Sequence, residues 1–131
     1  MDYIKVLKGK ELENGQKYMP MFSASRFFEK PIKKYSLGMK EILAFIYTVS
    51  LEADIIIIDE LMNGLDHTMR AKAFQILKEL AKTKIILLTS HILEEVEKYC
   101  DKVYFLSKYG FDDVLDFEEA TKIIRGSQVF I

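Results

Sequence analysis

The hydrophobic pattern of the central part of the chain alternates between helix-like and strand-like stretches. From residue 37, "LGMKEILAFIYTVSL" is apolar nearly all the way round, which predicts a helix buried against other elements. "ADIIIIDE" and "KIILLTS" are short apolar runs bounded by polar residues, a pattern typical of strands buried on both faces. Between them, "HTMRAKAFQILKELAK" has apolar residues at helical spacing, which predicts an amphipathic helix with Asp66 as its natural N-cap.

The same alternation continues towards the C-terminus. "ILEEVEKYC" predicts a short helix, and "KVYFLS" predicts a third strand. Strands and helices that alternate with short links favour an α/β fold with a parallel sheet and right-handed crossovers. Ligands of such sheets bind beyond the carboxyl ends of the strands, so the residues that follow each strand are the first candidates for a functional site.

The first 31 residues carry weaker signals. Asn14-Gly15 is a hairpin turn signal, and "MPMFSASRFF" predicts an irregular connector. We therefore expect a poorly defined N-terminal segment over 1–31, a core over 32–110, and a C-terminal helix with a short extension over 111–131.

Composition narrows the class of protein. The 131 residues suit one ordinary domain, and 50% hydrophobic with 30% charged residues is a globular composition. A net charge of −1 argues against a general nucleic-acid binder. The single cysteine, Cys100, excludes an internal disulfide, and no apolar run is long enough to cross a bilayer. The first residues have no signal-peptide pattern, and we expect a soluble, cytoplasmic chain.

Polar residues follow both of the isoleucine- and leucine-rich strands. Asp59 and Glu60 come after the first strand, and His91 comes shortly after the second. Singly, each has an ordinary explanation: the acidic pair marks where a strand reaches water, the histidine caps a helix or is hydrogen-bonded, and Asp66 is a cap. Together, two carboxylates and a histidine at one sheet edge suit metal-assisted phosphoryl transfer. One carboxylate would hold Mg²⁺, the other would activate water, and a neutral histidine would contact the phosphate.

The stretch "KKYSLGMKEI" has two compatible interpretations. Ser36 can be a plain helix N-cap with a basic lead-in. A helix start with Ser36 and Gly38 can also bind phosphate, since its backbone amides point outwards and glycine permits close approach.

Four ordered motifs carry a family resemblance. "YSLGMK", "IIIIDE", "NGLD" and "TSHILEEVEKYCDKVYFL" resemble the signature loop, Walker B motif, D-loop and switch histidine of the ATPase subunit of an ATP-binding cassette (ABC) transporter. The resemblance covers roughly residues 30–110. It implies that Asp59 holds the hydration shell of Mg²⁺, that Glu60 is the general base on water, and that His91 contacts the γ-phosphate of ATP.

The resemblance also implies partners. Ser36 and Gly38 would bind the γ-phosphate of ATP held by a second ABC ATPase subunit, in a homodimer or a heterodimer, and Asp66 would lie at the dimer contact. The helix after the signature would belong to the subdomain that meets a transmembrane transporter subunit. A cytoplasmic position at the inner face of the membrane follows, with ATP and Mg²⁺ as cofactors and no nucleic acid as a partner.

One expected motif is missing from the sequence. No G-x-x-x-x-G-K-[ST] loop occurs, and the one Gly-Lys pair, Gly9-Lys10, is followed by Glu11. The backbone amides and lysine of that loop bind the β- and γ-phosphates in such enzymes. We therefore expect the C-terminal half of a P-loop ATPase fold with part of its helical subdomain, negligible ATP hydrolysis by the chain alone, and a "KIILLT" strand left at a sheet edge.

Three functional hypotheses agree with the sequence. The chain is a partial ABC ATPase that a Walker A-bearing partner completes, a catalytically inactive cassette that acts as a dimerisation or regulatory module, or an α/β domain with inherited, unused motifs. The presence of both Asp59 and Glu60 favours the first two hypotheses over the third.

Overall fold

The computed structural model describes residues 8–26, 29–60, 63–107, 110–112, 118–119 and 121–122. In chain order its elements are α1 (Gly9–Tyr18), α2 (Leu37–Ser50), β1 (Ile55–Ile58), α3 (His67–Leu80), β2 (Ile85–Leu88), α4 (Leu93–Tyr99), β3 (Phe105–Ser107) and β4 (Gly110–Asp112). Short 3₁₀ turns lie between α1 and α2. The chain divides into two compact units, and the boundary falls between Thr89 and Ser90.

The first unit confirms the predicted α/β fold. β1 and β2 pair in parallel, from Ile55 beside Ile85 to Ile58 beside Leu88, and α3 links them along the chain. The predicted helices α2 and α3 both form. Because the strands are parallel and in register, the residues that follow Ile58 and Leu88 emerge at the same edge of the sheet.

The two strands are covered on one face only, so the prediction of burial on both faces is wrong. Ile56 is 2% exposed, whereas its neighbours Ile55 and Ile57 are 53% and 71% exposed. On β2, Ile85 and Leu87 are 58% and 51% exposed. Successive side chains of a strand point to opposite faces, so these four residues share one face and Ile56 lies on the other.

The core of the first unit lies around α2. Ile46 and Val49 of α2 are almost completely buried, as is Phe74 of α3. Phe22, from the 3₁₀ turn Met19–Phe22 that follows α1, packs edge-to-face on Phe45 with the ring centroids 5.7 Å apart. The predicted irregular connector therefore supplies a central aromatic side chain to the core.

The hairpin interpretation of Asn14-Gly15 is wrong, because both residues lie inside α1. The helix packs against α2, and the Asn14 amide donates a hydrogen bond to the Ser50 carbonyl oxygen. An exposed ion pair between Lys10 and Glu52 joins the two segments further. Tertiary packing of this kind commonly overrides a local turn preference.

In the second unit, the predicted third strand forms but does not join the parallel sheet. Helix α4 and strand β3 form as expected, but β3 pairs antiparallel with β4, with Phe105 beside Asp112 and Ser107 beside Gly110. Only two residues separate these strands in the sequence, and so short a link can join antiparallel strands but not parallel ones. In the part of 111–131 that the structure describes beyond β4, residues 118–119 and 121–122 are helical. Among the described residues, no helix is both long enough and apolar enough to span a membrane.

Candidate functional site

Thr89 contacts both Asp59 and Glu60 where β1 and β2 end. The Thr89 hydroxyl donates a hydrogen bond to Asp59 Oδ1 over 2.6 Å and accepts one from the Glu60 backbone N–H over 2.8 Å. The Thr89 backbone N–H donates to the Ile58 carbonyl oxygen over 3.0 Å, which extends the ladder of the strands by one bond. One threonine on β2's end therefore fixes both acidic residues on β1's end.

Glu60 has an unusual backbone. Its φ is +51°, in the left-handed region that residues with a side chain rarely adopt and that costs of order 1 kcal/mol. Its carboxylate accepts a hydrogen bond from the Asn63 amide over 2.6 Å. Contacts to Thr89 and Asn63 thus hold Glu60 at both its backbone and its side chain, and the residue is exposed to solvent.

A shallow depression runs from α2 to this acidic pair. Its volume is about 340 Å³. The residues that line it are Glu41, Ala44, Phe45, Thr48, Ile57, Ile58, Asp59 and Glu60. Glu41 Oε2 also accepts a hydrogen bond from the Gly64 N–H over 3.1 Å, which ties α2 to the turn after β1. The Glu41 carboxylate therefore both lines the depression and makes a structural contact.

The start of α2 combines a cap with a close contact. Ser36 Oγ accepts a hydrogen bond from the Met39 N–H over 3.2 Å, so the plain N-cap interpretation is confirmed. A Cβ on Gly38 would lie 3.0 Å from Leu65 Cδ2, so the absence of a side chain permits the contact with the 63–66 turn. Asp66 Oδ1 accepts from the Met69 N–H over 3.0 Å and caps α3 as predicted.

His91 belongs to the second unit, where it is exposed and precedes α4. Next to it, the Ser90 hydroxyl accepts a hydrogen bond from the Ile92 N–H over 3.1 Å. The structure therefore brings Asp59 and Glu60 together through Thr89, and it places Gly38 beside Leu65. The contact of His91 with a phosphate stays a prediction.

The donor set at the sheet edge fits a hydrated magnesium ion. Within the described residues, no cluster of three or more histidine, cysteine, aspartate or glutamate side chains is arranged to enclose a metal. Mg²⁺ does not need such a cage, because it usually keeps several waters and binds through one or two carboxylates and the phosphates of a nucleotide. The exposed carboxylate of Asp59 can hold it in this way.

Two residues of this site were not found from the sequence. Thr89 directly follows the second strand, and its position at a carboxyl edge was an available signal. Glu41 gave no local signal, since its partner Gly64 lies 23 residues away and meets it only through the packing of α2.

Comparison with known proteins defines the class. Residues 10–97 match the family model described as "AAA domain, putative AbiEii toxin, Type IV TA system". The match covers well over half of the chain, which therefore belongs to this AAA domain family.

Relatives in sequence are ATP-binding proteins of export systems. The O-antigen export system ATP-binding protein RfbB of Klebsiella pneumoniae is 31% identical over 121 residues, which are 91% of this chain and 49% of that protein. The capsule polysaccharide export ATP-binding protein CtrD of Neisseria meningitidis serogroup B is 32% identical over 87% of this chain and 50% of its own length. The teichoic acids export protein TagH of Lactiplantibacillus plantarum is 35% identical over 75% of this chain and 26% of its own.

Solved structures share the fold. An ATP-binding subunit of an ABC transporter superposes with a TM-score of 0.79 at 22% identity, over 94% of this chain and 55% of that one. An ATP-binding cassette of an ABC transporter, in its ADP conformation, gives a TM-score of 0.65 at 18% identity. The resemblance to the ABC transporter ATPase subunit is confirmed, and the chain spans about half the length of the curated relatives RfbB and CtrD.

Proposed function

We propose that this chain is the hydrolytic half of an ABC transporter ATPase and that it acts when a companion polypeptide supplies the Walker A loop. The observation that carries the proposal is the pair Asp59 and Glu60, fixed by Thr89 at the carboxyl edge of a parallel sheet. Phosphates bind at this edge in sheets of this type. Positioning accounts for most of the catalysis in phosphoryl transfer, so a fixed pair is the useful arrangement.

The chemistry assigned to these residues is hydrolysis of ATP. Glu60 accepts a proton from a water as the water oxygen attacks the γ-phosphorus, and the bond between this phosphorus and the β–γ bridging oxygen breaks to release ADP. Asp59 would hold Mg²⁺ through the hydration shell of the ion, and the bound ion would offset negative charge on the phosphates. His91 donates a hydrogen bond to the γ-phosphate.

Partners follow from the same proposal. Ser36 and Gly38 contact the γ-phosphate of ATP held by a second ABC ATPase subunit, and Asp66 lies at that dimer contact. A transmembrane subunit couples hydrolysis to transport, which places the chain in the cytoplasm at the inner face of the membrane. The relatives RfbB, CtrD and TagH are export proteins for O-antigen, capsule polysaccharide and teichoic acids, which favours export of a cell-surface polymer as the coupled process.

A second candidate function is a catalytically inactive dimerisation or regulatory module. It would use the start of α2, where Ser36 caps the helix and Gly38 contacts Leu65, rather than the acidic pair. Such a module would still present Ser36 and Gly38 to a nucleotide bound by an intact cassette.

Binding of the fluorescent nucleotide TNP-ATP with Mg²⁺ separates the two functions. We expect weak binding to the chain alone and at least about tenfold tighter binding when a Walker A-bearing companion from the same cell is added. Asp59→Asn should weaken the Mg²⁺-dependent part of this gain for a catalytic half and leave it unchanged for an inactive module. If mixing produces no gain, the chain does not share a nucleotide with that companion.

A further inference from the structure

The 63–66 turn lies between the acidic pair and α3 in the sequence, and two helices hold its backbone. From α2, Glu41 Oε2 accepts a hydrogen bond from the Gly64 N–H over 3.1 Å. From α3, Arg70 Nη1 donates a hydrogen bond to the Leu65 carbonyl oxygen over 3.2 Å. The turn is therefore restrained at two consecutive residues by side chains that belong to the helices on either side of it in the sequence.

Glu41 and Gly64 lie in close contact. A Cβ on Gly64 would lie 3.1 Å from Glu41 Oε2, 3.2 Å from Oε1 and 3.3 Å from Cδ, so the whole carboxylate group lies against this backbone. Gly64 does not have a positive φ, so the contact with Glu41, and not the backbone conformation, disfavours a side chain at position 64. A hydrogen bond to a charged acceptor is also stronger than one between neutral groups. Glu41 therefore restrains the backbone at residue 64.

The residue before Gly64 contacts Glu60. The Asn63 side-chain amide donates a hydrogen bond to Glu60 Oε2 over 2.6 Å. Because Asn63 and Gly64 share a peptide bond, a displacement of Gly64 also displaces the amide that holds the Glu60 carboxylate. The Glu60 backbone N–H is held separately, by the Thr89 hydroxyl. The position of the turn therefore affects the orientation of the Glu60 carboxylate more than its backbone.

We infer that Glu41 is a positioning residue for the Glu60 carboxylate and acts through Gly64 and Asn63. The importance of that carboxylate rests on the proposed function, in which Glu60 accepts a proton from the attacking water. Misplacement of a reacting group by about 1 Å can cost about 100-fold in rate, so a side chain that only orients Glu60 has a large effect on hydrolysis.

Nuclear magnetic resonance of the full chain tests the inference without ATP. Hydrogen exchange at the Gly64 amide reports its bond to Glu41, and the side-chain amide signals of Asn63 report the bond to Glu60. Glu41→Ala should speed exchange at Gly64 by about tenfold, because a hydrogen bond to a charged group is lost. It should also move the Asn63 signals towards their positions in Glu60→Ala, a variant in which the second bond is absent.

Three further variants show whether the effect passes through this contact. Glu41→Gln keeps an oxygen that can accept the Gly64 N–H and should leave the Asn63 signals near their wild-type positions. Gly64→Ala places a methyl group against the Glu41 carboxylate, so it should move the Asn63 signals in the wild type and add no movement in a Glu41→Ala background. Glu79→Ala is the matched control, since it removes an exposed carboxylate of α3 that pairs with Lys82, and it should change none of these signals.

Faster exchange at Gly64 with unchanged Asn63 signals would overturn the inference, because Glu41 would then hold the turn without orienting Glu60. Unchanged exchange at Gly64 would overturn it as well. Movement of the Asn63 signals in Glu41→Gln or in Glu79→Ala that equals the movement in Glu41→Ala would also overturn it.

The proposed function fails in a different measurement. ATP turnover that survives Glu60→Gln would overturn that function and leave the positioning of the Glu60 carboxylate by Glu41 intact. Turnover that depends on Glu60, together with Asn63 signals that Glu41→Ala does not move, would support the function and overturn the positioning role.

Discussion

The Thr89 hydroxyl donates a hydrogen bond to the Asp59 carboxylate over 2.6 Å and so joins the ends of two strands that lie 30 residues apart in the sequence. The same oxygen accepts the Glu60 N–H, which helps to hold Glu60 in its left-handed conformation. The geometry of the acidic pair therefore depends on a residue that is not itself acidic.

Replacing Thr89 tests this dependence. Thr89→Val removes both hydrogen bonds with little change of shape, and we expect the free energy of unfolding to fall by about 1 kcal/mol. Thr89→Ser keeps the hydroxyl and should lose less. Urea unfolding measures both, with Thr83→Val as the matched control because the Thr83 hydroxyl makes only a long 3.5 Å bond. Equal losses of unfolding free energy for Thr89→Val and Thr83→Val would show that the hydrogen bonds of the Thr89 hydroxyl do not stabilise the fold.

The cap at Asp66 can be separated from its proposed dimer contact. Asp66→Ala should lower the free energy of unfolding by about 1 kcal/mol, because the Met69 N–H loses its acceptor. Asp66→Asn keeps a capping oxygen and should retain most of the stability. Thermal unfolding of the chain alone measures the cap. A loss for Asp66→Asn as large as that for Asp66→Ala would contradict a capping role.

Contact between Gly38 and Leu65 predicts a non-additive pair of substitutions. Alanine is favoured over glycine in a helix by up to about 1 kcal/mol, but a Cβ at position 38 would lie 3.0 Å from Leu65 Cδ2. We expect Gly38→Ala to stabilise the chain more in a Leu65→Ala background than in the wild type, with a coupling of at least about 0.5 kcal/mol. Denaturant titration of the four proteins measures the coupling. Additive effects would show that Leu65 does not restrict position 38.

Cys100 gives a prediction with a defined pH dependence. Burial raises the pKa of its thiol, and the negative charge of Asp101 raises that pKa further. The thiolate is the reactive form, so at pH 8 iodoacetamide should alkylate Cys100 more slowly than it alkylates the urea-unfolded chain, with the midpoint of the rate profile at higher pH. Asp101→Asn should move the midpoint part of the way back. Coincident profiles for the folded and unfolded chain would contradict this environment.

Sequence patterns predicted the elements whose signals are local. Helices α2 and α3 combine dense apolar spacing with a capping residue, Ser36 or Asp66, and both form. Which strand a given strand pairs with, and which elements pack on its two faces, depend on distant parts of the chain. The sequence of Ile55–Ile58 is compatible with burial of one face or of both faces. Strand β3 pairs with the adjacent β4 rather than with the parallel strands. Asn14-Gly15 shows the same limit, since packing on α2 decided its conformation.

The same distinction between local and non-local signals applies to the candidate site. Asp59 and Glu60 could be assigned to the carboxyl edge because they directly follow a recognisable strand. The bond from Thr89 depends on the register that sets Ile58 beside Leu88, and the Glu41 contact with Gly64 depends on how α2 packs. Neither the strand register nor the helix packing can be predicted from a single segment of the sequence.

Steady-state ATP turnover is the decisive test of the proposed hydrolytic role of Glu60. It is measured for the chain alone, for the Walker A-bearing companion alone, and for their mixture with either wild-type Glu60 or Glu60→Gln in this chain. We expect negligible turnover by the chain alone, a gain on mixing, and loss of that gain with Glu60→Gln. Turnover by the pure chain that Glu60→Gln abolishes, or a gain on mixing that survives Glu60→Gln, would contradict this expectation.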